Sequence, residues 1–164
     1  MKKPARKKTP KPPAKKKIPN QDISTGYLDK VYELDKFVKL IPKVAKALQA
    51  FRKKHPFDAI AFTGCSGAAF AYPLSYKLKI PLICVRKKDS SHCTRPLEGY
   101  IGAKSYVIVD DFISSGDTIK KIISTIKTHA KVKNKVPKVV GIFLYDQDGW
   151  RKQFAGVPVI GVRL

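Results

Sequence analysis

Acidic residues are scarce in this chain: 12 Asp and Glu stand against 34 Lys and Arg in 164 residues, a formal net charge of +22. A positive field of that size attracts polyanions, whether nucleic acid, anionic membrane surfaces or phosphorylated small molecules. Cysteine is scarce too. Cys65, Cys84 and Cys93 are odd in number and lack metal-type spacing, which argues against a disulfide framework and fits a reducing compartment. No stretch approaches the roughly 20 apolar residues of a membrane-spanning helix. Nor does an apolar signal-peptide core follow the basic N-terminus. A cytoplasmic protein without a membrane span is the expectation.

What is present suffices for one domain, since 43% of the residues are hydrophobic. Residues 1–19, MKKPARKKTPKPPAKKKIP, are Lys and Pro with almost nothing to bury, so a disordered basic tail is expected ahead of a domain over 20–164. The first 17 residues hold nine basic residues and no acid, and the remainder still carries +13. The tail reads as a nonspecific nucleic-acid arm, a targeting signal or a solubilising extension, and nothing in it performs chemistry.

The most informative stretch is VIVDDFISSGDTI, residues 107–119. Val107, Ile108 and Val109 form a β-branched run of the kind buried in a parallel sheet. Asp110 and Asp111 cannot continue that run into a dry core, so they are expected at the strand's C-terminal edge, where open α/β sheets bind ligands. Ser114, Ser115, Gly116, Asp117 and Thr118 then offer hydroxyls and backbone N–H groups at a helix N-terminus, an anion site by hydrogen bonding and by the helix dipole. Gly116 permits the positive φ such a loop needs. An ordinary N-cap serine with two solvated acids is the plainer reading of the same residues.

The rest of the chain supplies a frame for that turn. Val31, Leu34, Phe37, Val38, Ile41, Val44, Ala45, Leu48 and Phe51 recur at the three-and-four spacing of an amphipathic helix, which Pro42 is expected to interrupt or restart. FDAIAF, residues 57–62, reads as a first core strand. Thr63, Gly64, Cys65, Ser66 and Gly67 then form a small polar loop able to turn N–H groups toward an anion, before a helix over about 68–78. Cys65 has no sequence-adjacent activator, so a small residue in a tight loop is the better reading than a nucleophile. A second strand, IPLICV at 80–85, ends in Arg86, Lys87 and Lys88, and a long segment without apolar periodicity fills 89–104. After the central motif a helix reaches about 130. Strands at 139–144 and 157–162 follow, with Tyr145, Trp150 and Phe154 between them to stack a base or pack the domain. Alternating strands and helices imply an α/β fold with a parallel sheet of about four to five strands flanked by helices.

Apolar run, paired acids, two apolar residues, Ser-Ser-Gly, one residue and Thr resembles the phosphoribosyl pyrophosphate motif of the type I phosphoribosyltransferases. That resemblance implies the family's fold, phosphoribosyl pyrophosphate and a nucleobase as partners, Mg²⁺ as cofactor, and homodimerisation. It implies catalytic roles for Asp110 and Asp111, which would meet metal through bound water, and makes residues 63–67 the pyrophosphate loop. Within the family the chain is most similar to orotate phosphoribosyltransferases: Arg86, Lys87, His92, Glu98 and Gly99 fall on their pattern at the strand end and the loop that closes over substrate. His92 is accordingly a catalytic candidate, and Arg86, Lys87 and Lys88 are substrate-binding candidates. Ser90 stands where that pattern has a lysine, which implies weakened catalysis, replacement by Lys88 or Arg95, or lost activity. Gln147 stands where it has the arginine that pairs with the orotate carboxylate, so Gln147 is a substrate-binding candidate for a base other than orotate. The alternative function is a ligand-sensing domain of this fold that uses its basic surface on nucleic acid.

Overall fold

A computed structural model describes residues 28–87, 95–130, 136–146 and 152–162. Helices α1 (Asp29–Tyr32) and α2 (Leu34–Lys54) lead into β1 (Ala59–Thr63), α3 (Gly64–Leu78) and β2 (Leu82–Val85). Then come β3 (Leu97–Gly99), β4 (Ser105–Asp110), α4 (Asp117–His129), β5 (Lys138–Leu144), β6 (Gln153–Phe154) and β7 (Val157–Gly161). One seven-stranded sheet runs in the order β3-β2-β1-β4-β5-β7-β6. Its five central strands are mutually parallel, as the alternation of strands and helices leads one to expect. The short edge strands β3 and β6 pair antiparallel and enlarge the sheet beyond the expected four to five.

Burial on both faces explains the unbroken apolar strands. Ala59, Ala61, Tyr106 and Ile108 point to one side, where Ile119, Ile122 and Ile126 of α4 close the core. Ile60, Phe62, Val107 and Val109 point to the other, against Leu40, Val44 and Leu48 of α2 and Phe70 and Leu74 of α3. The crossover from β1 to β2 through α3 therefore covers one face and the crossover from β4 to β5 through α4 covers the other. Between β1 and β4 the chain winds away in opposite directions, which opens a crevice at their C-terminal ends.

Three local expectations are corrected. The first amphipathic segment breaks at Glu33, while α2 continues through Pro42. Pro42 and Val38 are both exposed, so the carbonyl that loses its intrahelical donor lies on the water side. Helix α3 begins at Gly64, four residues before the expected start. Within 89–104, residues 97–99 are a strand added to β2, and Gly99 takes φ +96° where a Cβ would lie 2.3 Å from the Leu82 carbonyl oxygen. Among the described residues no helix is long and apolar enough to cross a membrane.

Candidate active site

At the end of β4 the apolar run stops on two acids that stay inside the protein: Asp110 is 3% exposed and Asp111 5%. Their burial is compensated by hydrogen bonds. Ser66 Oγ donates to Asp110 Oδ1 at 3.0 Å and the Asp111 N–H donates to the same oxygen at 3.1 Å. The Phe112 N–H donates to Asp111 Oδ1 at 2.9 Å. Burial first, and then the neighbouring Asp111 charge, push the Asp110 carboxyl up to about 7 from an ordinary 3.8, with the Ser66 hydroxyl pulling the other way. Asp110 is thus poised to exchange a proton near neutrality, and a positive charge beside the pair would draw it to the ionised form.

The loop that follows is pinned from beneath. Ile113 is buried, whereas Ser114 and Ser115 are exposed. Gly116 takes φ +82° as the N-cap of α4, and a Cβ there would sit 2.1 Å from Phe154 Cζ, so only glycine fits under that ring. The N-cap itself offers no side chain, and beyond the Asp117 N–H, which Ser115 takes, the first-turn N–H groups and the dipole are left to attract an anion. Ser115 Oγ donates to Asp117 Oδ2 at 2.7 Å and accepts from the Asp117 N–H at 3.3 Å. The Ser115 bond, followed by Lys120, holds the Asp117 carboxyl below its ordinary value.

The second anion element comes from β1 and α3. Residues 64–67, expected as a loop, are the first turn of α3, with Thr63 as N-cap. Gly67 makes this departure possible: a Cβ there would meet Phe62 Cβ at 3.0 Å and the Val109 carbonyl oxygen at 3.1 Å, so the helix presses directly on the sheet. Thr63 Oγ1 donates to the Val85 carbonyl at 2.6 Å. Lys87 crosses Gly64, with its Cε 3.1 Å from where a Cβ would be.

A cavity of about 220 Å³ joins the two elements, lined by Thr63, Ser66, Lys87, Asp110, Asp111, residues 112–118 and Ile119. Ten sequence candidates thus converge on one space: Thr63, Ser66, Lys87, Asp110, Asp111, Ser114, Ser115, Gly116, Asp117 and Thr118. Gly64 borders it through Lys87. Cys65 is exposed on the α3 turn and Gly67 is buried behind it. Arg86 faces Glu98, Nε to Oε1 3.8 Å, beside an adjoining hollow that also contains Gly64, Tyr72 and Lys87. His92, Lys88 and Gln147, with Ser90 and Trp150, lie outside the described residues.

Tyr145 belongs to the site's support, a role its sequence context did not distinguish from packing. Its ring stacks on Phe70 at 3.8 Å between centroids, and its hydroxyl donates to the Ser66 carbonyl at 2.8 Å. The Tyr145 and Asp146 N–H groups donate to the Asp110 and Asp111 carbonyls at 3.2 and 3.0 Å. The end of β5 therefore positions both acids and the serine that bonds one of them. Lys30 of α1 forms an ion pair with Asp146 and draws the N-terminal helix onto the same edge.

This arrangement of sheet, crevice and anion turns defines a phosphoribosyltransferase fold. The structure of adenine phosphoribosyltransferase from Saccharomyces cerevisiae superposes with a TM-score of 0.61 at 19% identity, covering 88% of this chain and 89% of that one. At the level of sequence, the chain belongs to the PRTase-CE family, whose model matches residues 25–154. Orotate phosphoribosyltransferase from Bacillus cytotoxicus is 26% identical over 149 residues, covering 86% of this chain and 70% of the relative. The corresponding protein from Rhizobium meliloti is 31% identical over 93 residues, 55% of this chain and 38% of the relative. The chain thus spans well under half the length of the second relative.

Proposed function

We propose that this protein transfers the 5-phosphoribosyl group of phosphoribosyl pyrophosphate to a nitrogenous base, or catalyses the reverse, with release of pyrophosphate. The single observation that carries the reading is one cavity holding a buried acid pair, the Gly116 turn on one side and Ser66 with Lys87 on the other. In this reading the 5′-phosphate binds residues 114–118 at the N-terminus of α4. Asp110 and Asp111 face the ribose hydroxyls. The pyrophosphate end lies toward residues 63–67, and Lys87 offsets its charge. As the bond from the anomeric carbon to pyrophosphate breaks, positive charge grows on the ribose and negative charge on the leaving group. A fixed acid pair beside the first and a fixed cation beside the second stabilise that separation without solvent reorganisation. No covalent protein nucleophile is needed.

The donor set suits Mg²⁺ held largely by ligand oxygens and water. Two adjacent carboxylates are available, and among the described residues no group of three or more His, Cys, Asp or Glu could form an all-protein cage. When bound, the ion would neutralise charge on the diphosphate oxygens. The curated relatives are transferases by name, which favours catalysis over the binding-only alternative. A cytoplasmic location is part of the same proposal.

The test is isothermal titration of the full chain with phosphoribosyl pyrophosphate and Mg²⁺, followed by a screen of bases for pyrophosphate release. Binding with release is expected, and Asp110→Asn combined with Asp111→Asn should abolish turnover. Undiminished turnover in that double variant would refute the assignment. Binding without release from any base would restore the regulator.

A further inference from the structure

The two ends of the sheet differ in their acids: nearly all those among the described residues lie at one end. Because the five central strands are parallel, their starts form one edge of the molecule and their ends, with the candidate active site, form the other. Asp110, Asp111, Asp117 and Asp146 lie at the exit edge, and the Lys30–Asp146 pair brings Asp29, Glu33 and Asp35 to it, where Lys30, Lys36, Arg86 and Lys120 pair with acids and Lys87 faces the cavity. Glu98 pairs in register with Cys84, next to the last residue of β2. Among the described residues, the entry edge has one acid, Asp58. Both of its oxygens are committed to backbone, accepting from the N–H groups of Lys104 and Ser105 at 3.0 Å each.

Cations crowd that same edge. Helix α2 ends on Lys53 and Lys54, α3 ends by Lys77 and Lys79, and Lys104 and Lys138 stand at the starts of β4 and β5. All six are exposed, and none has a carboxylate partner among the described residues. By contrast, Lys30, Lys36, Arg86 and Lys120, which pair with acids among the described residues, are elsewhere. The edge is also tied together. The Lys138 N–H donates to the Lys104 carbonyl at 2.9 Å, and Arg52 Nε donates to the Phe57 carbonyl at 2.9 Å while its guanidinium lies 5.4 Å from the Phe57 ring centroid. A further cation is thereby held where α2 meets β1.

Beside these charges is an aromatic ring left in water. Tyr76 is 78% exposed, and Lys79 Nζ lies 4.4 Å from its centroid. Cations along an edge with an exposed ring among them match the needs of a flexible polyphosphate chain with stackable bases. Tyr100 (44% exposed) and Ile101 (52%) ahead of Lys104, and Val136 (44%) ahead of Lys138, add one more ring and two aliphatic side chains to this edge, less than the continuous apolar face a lipid surface calls for, while Tyr32, Leu34 and Val38 belong to α1 and the opposite end of α2.

We propose that the entry edge binds single-stranded nucleic acid, with its lysines on the phosphates and Tyr76 stacked on a base, while the catalytic cavity at the other edge remains open. The surface is independent of the reaction assigned above.

The test uses the full chain, a fluorescein-labelled single-stranded 20-mer and anisotropy over a salt series. Each phosphate contact adds about 0.7 to the slope of log affinity against log salt for single strands. Replacing Lys53, Lys54, Lys77 and Lys79 with Ala should flatten that slope by up to about 3 and weaken binding at least tenfold at low salt. Lys104→Ala with Lys138→Ala should do the same in proportion, which guards against misfolding of the first variant. Tyr76→Ala should weaken binding about fivefold or more and leave the slope unchanged, as loss of stacking does. Replacement of Lys15, Lys16 and Lys17 with Ala reports on the tail separately. The proposal fails if the edge variants bind as the parent does, if the tail variant alone abolishes binding, if a duplex is preferred tenfold, or if anionic vesicles bind and the oligonucleotide does not.

Discussion

Asp110→Asn should stabilise the protein while removing its proposed chemistry, and the gain should grow with pH. The folded-state value of about 7 lies above the ordinary 3.8, because burial and the Asp111 charge disfavour the ionised carboxylate. Between those two values the folded chain holds a proton that the unfolded chain has released. Asp110's contribution to stability is therefore present in full below about pH 4 and is lost as pH rises through about 7. Each pKa unit corresponds to about 1.4 kcal/mol, so from pH 5 to pH 8 the parent should lose on the order of 3 kcal/mol from this group alone. Asparagine does not titrate, and its Oδ1 can still accept from Ser66 Oγ and the Asp111 N–H. For a chain of this size, 3 kcal/mol is roughly 5–10 °C in Tm. Thermal melts of parent and variant in chelator at pH 5, 6, 7 and 8 measure the gap. A gap that stays constant or narrows as pH rises would refute the claim that Asp110 is strained in its ionised form.

Two further outcomes test the scaffold around the acids. Gly116→Ala keeps the positive φ and drives a Cβ to 2.1 Å from Phe154 Cζ, so a loss of about 2–5 kcal/mol is expected, partly regained when Phe154→Ala is added. Denaturant titration of the parent, Phe154→Ala and both Gly116→Ala variants checks it, and a cost below about 1 kcal/mol for Gly116→Ala alone would contradict the close approach. Tyr145→Phe retains the ring stacked on Phe70 and removes only the donor to the Ser66 carbonyl. Stability should fall by about 1 kcal/mol and turnover should fall with it, whereas unchanged melting and turnover would show that this bond does not position the site.

The parts legible in the sequence were those whose physics is local. A β-branched run that ends on two acids can only stop at a sheet edge, and a serine-glycine turn ahead of a helix has few uses other than holding an anion; Asp110, Asp111 and residues 114–118 accordingly line one cavity. Illegible parts depended on contacts between distant segments. Strands β3 and β6 have three and two residues, too few for any periodicity, and exist because neighbouring edges accept them. The start of α3 was obscured because Gly-Cys-Ser-Gly has poor helix propensity, yet Gly67 is what lets the helix lie on Phe62 and Val109, and that packing overrides propensity. Tyr145 looked like any aromatic at the end of an apolar strand, since the carbonyl it serves is 79 positions away. Charge shows the limit most clearly. A net +22 names a class of partner but no place, because lysines are scattered along the whole chain. Parallel strands sort them: nearly all the acids among the described residues lie where strands end, around the candidate active site, and six exposed lysines without a carboxylate partner among the described residues lie where strands begin. A chain that used its charge only to attract a small anionic substrate would have no reason to concentrate unpaired lysines at the far edge. That separation is why the second surface needs a partner of its own.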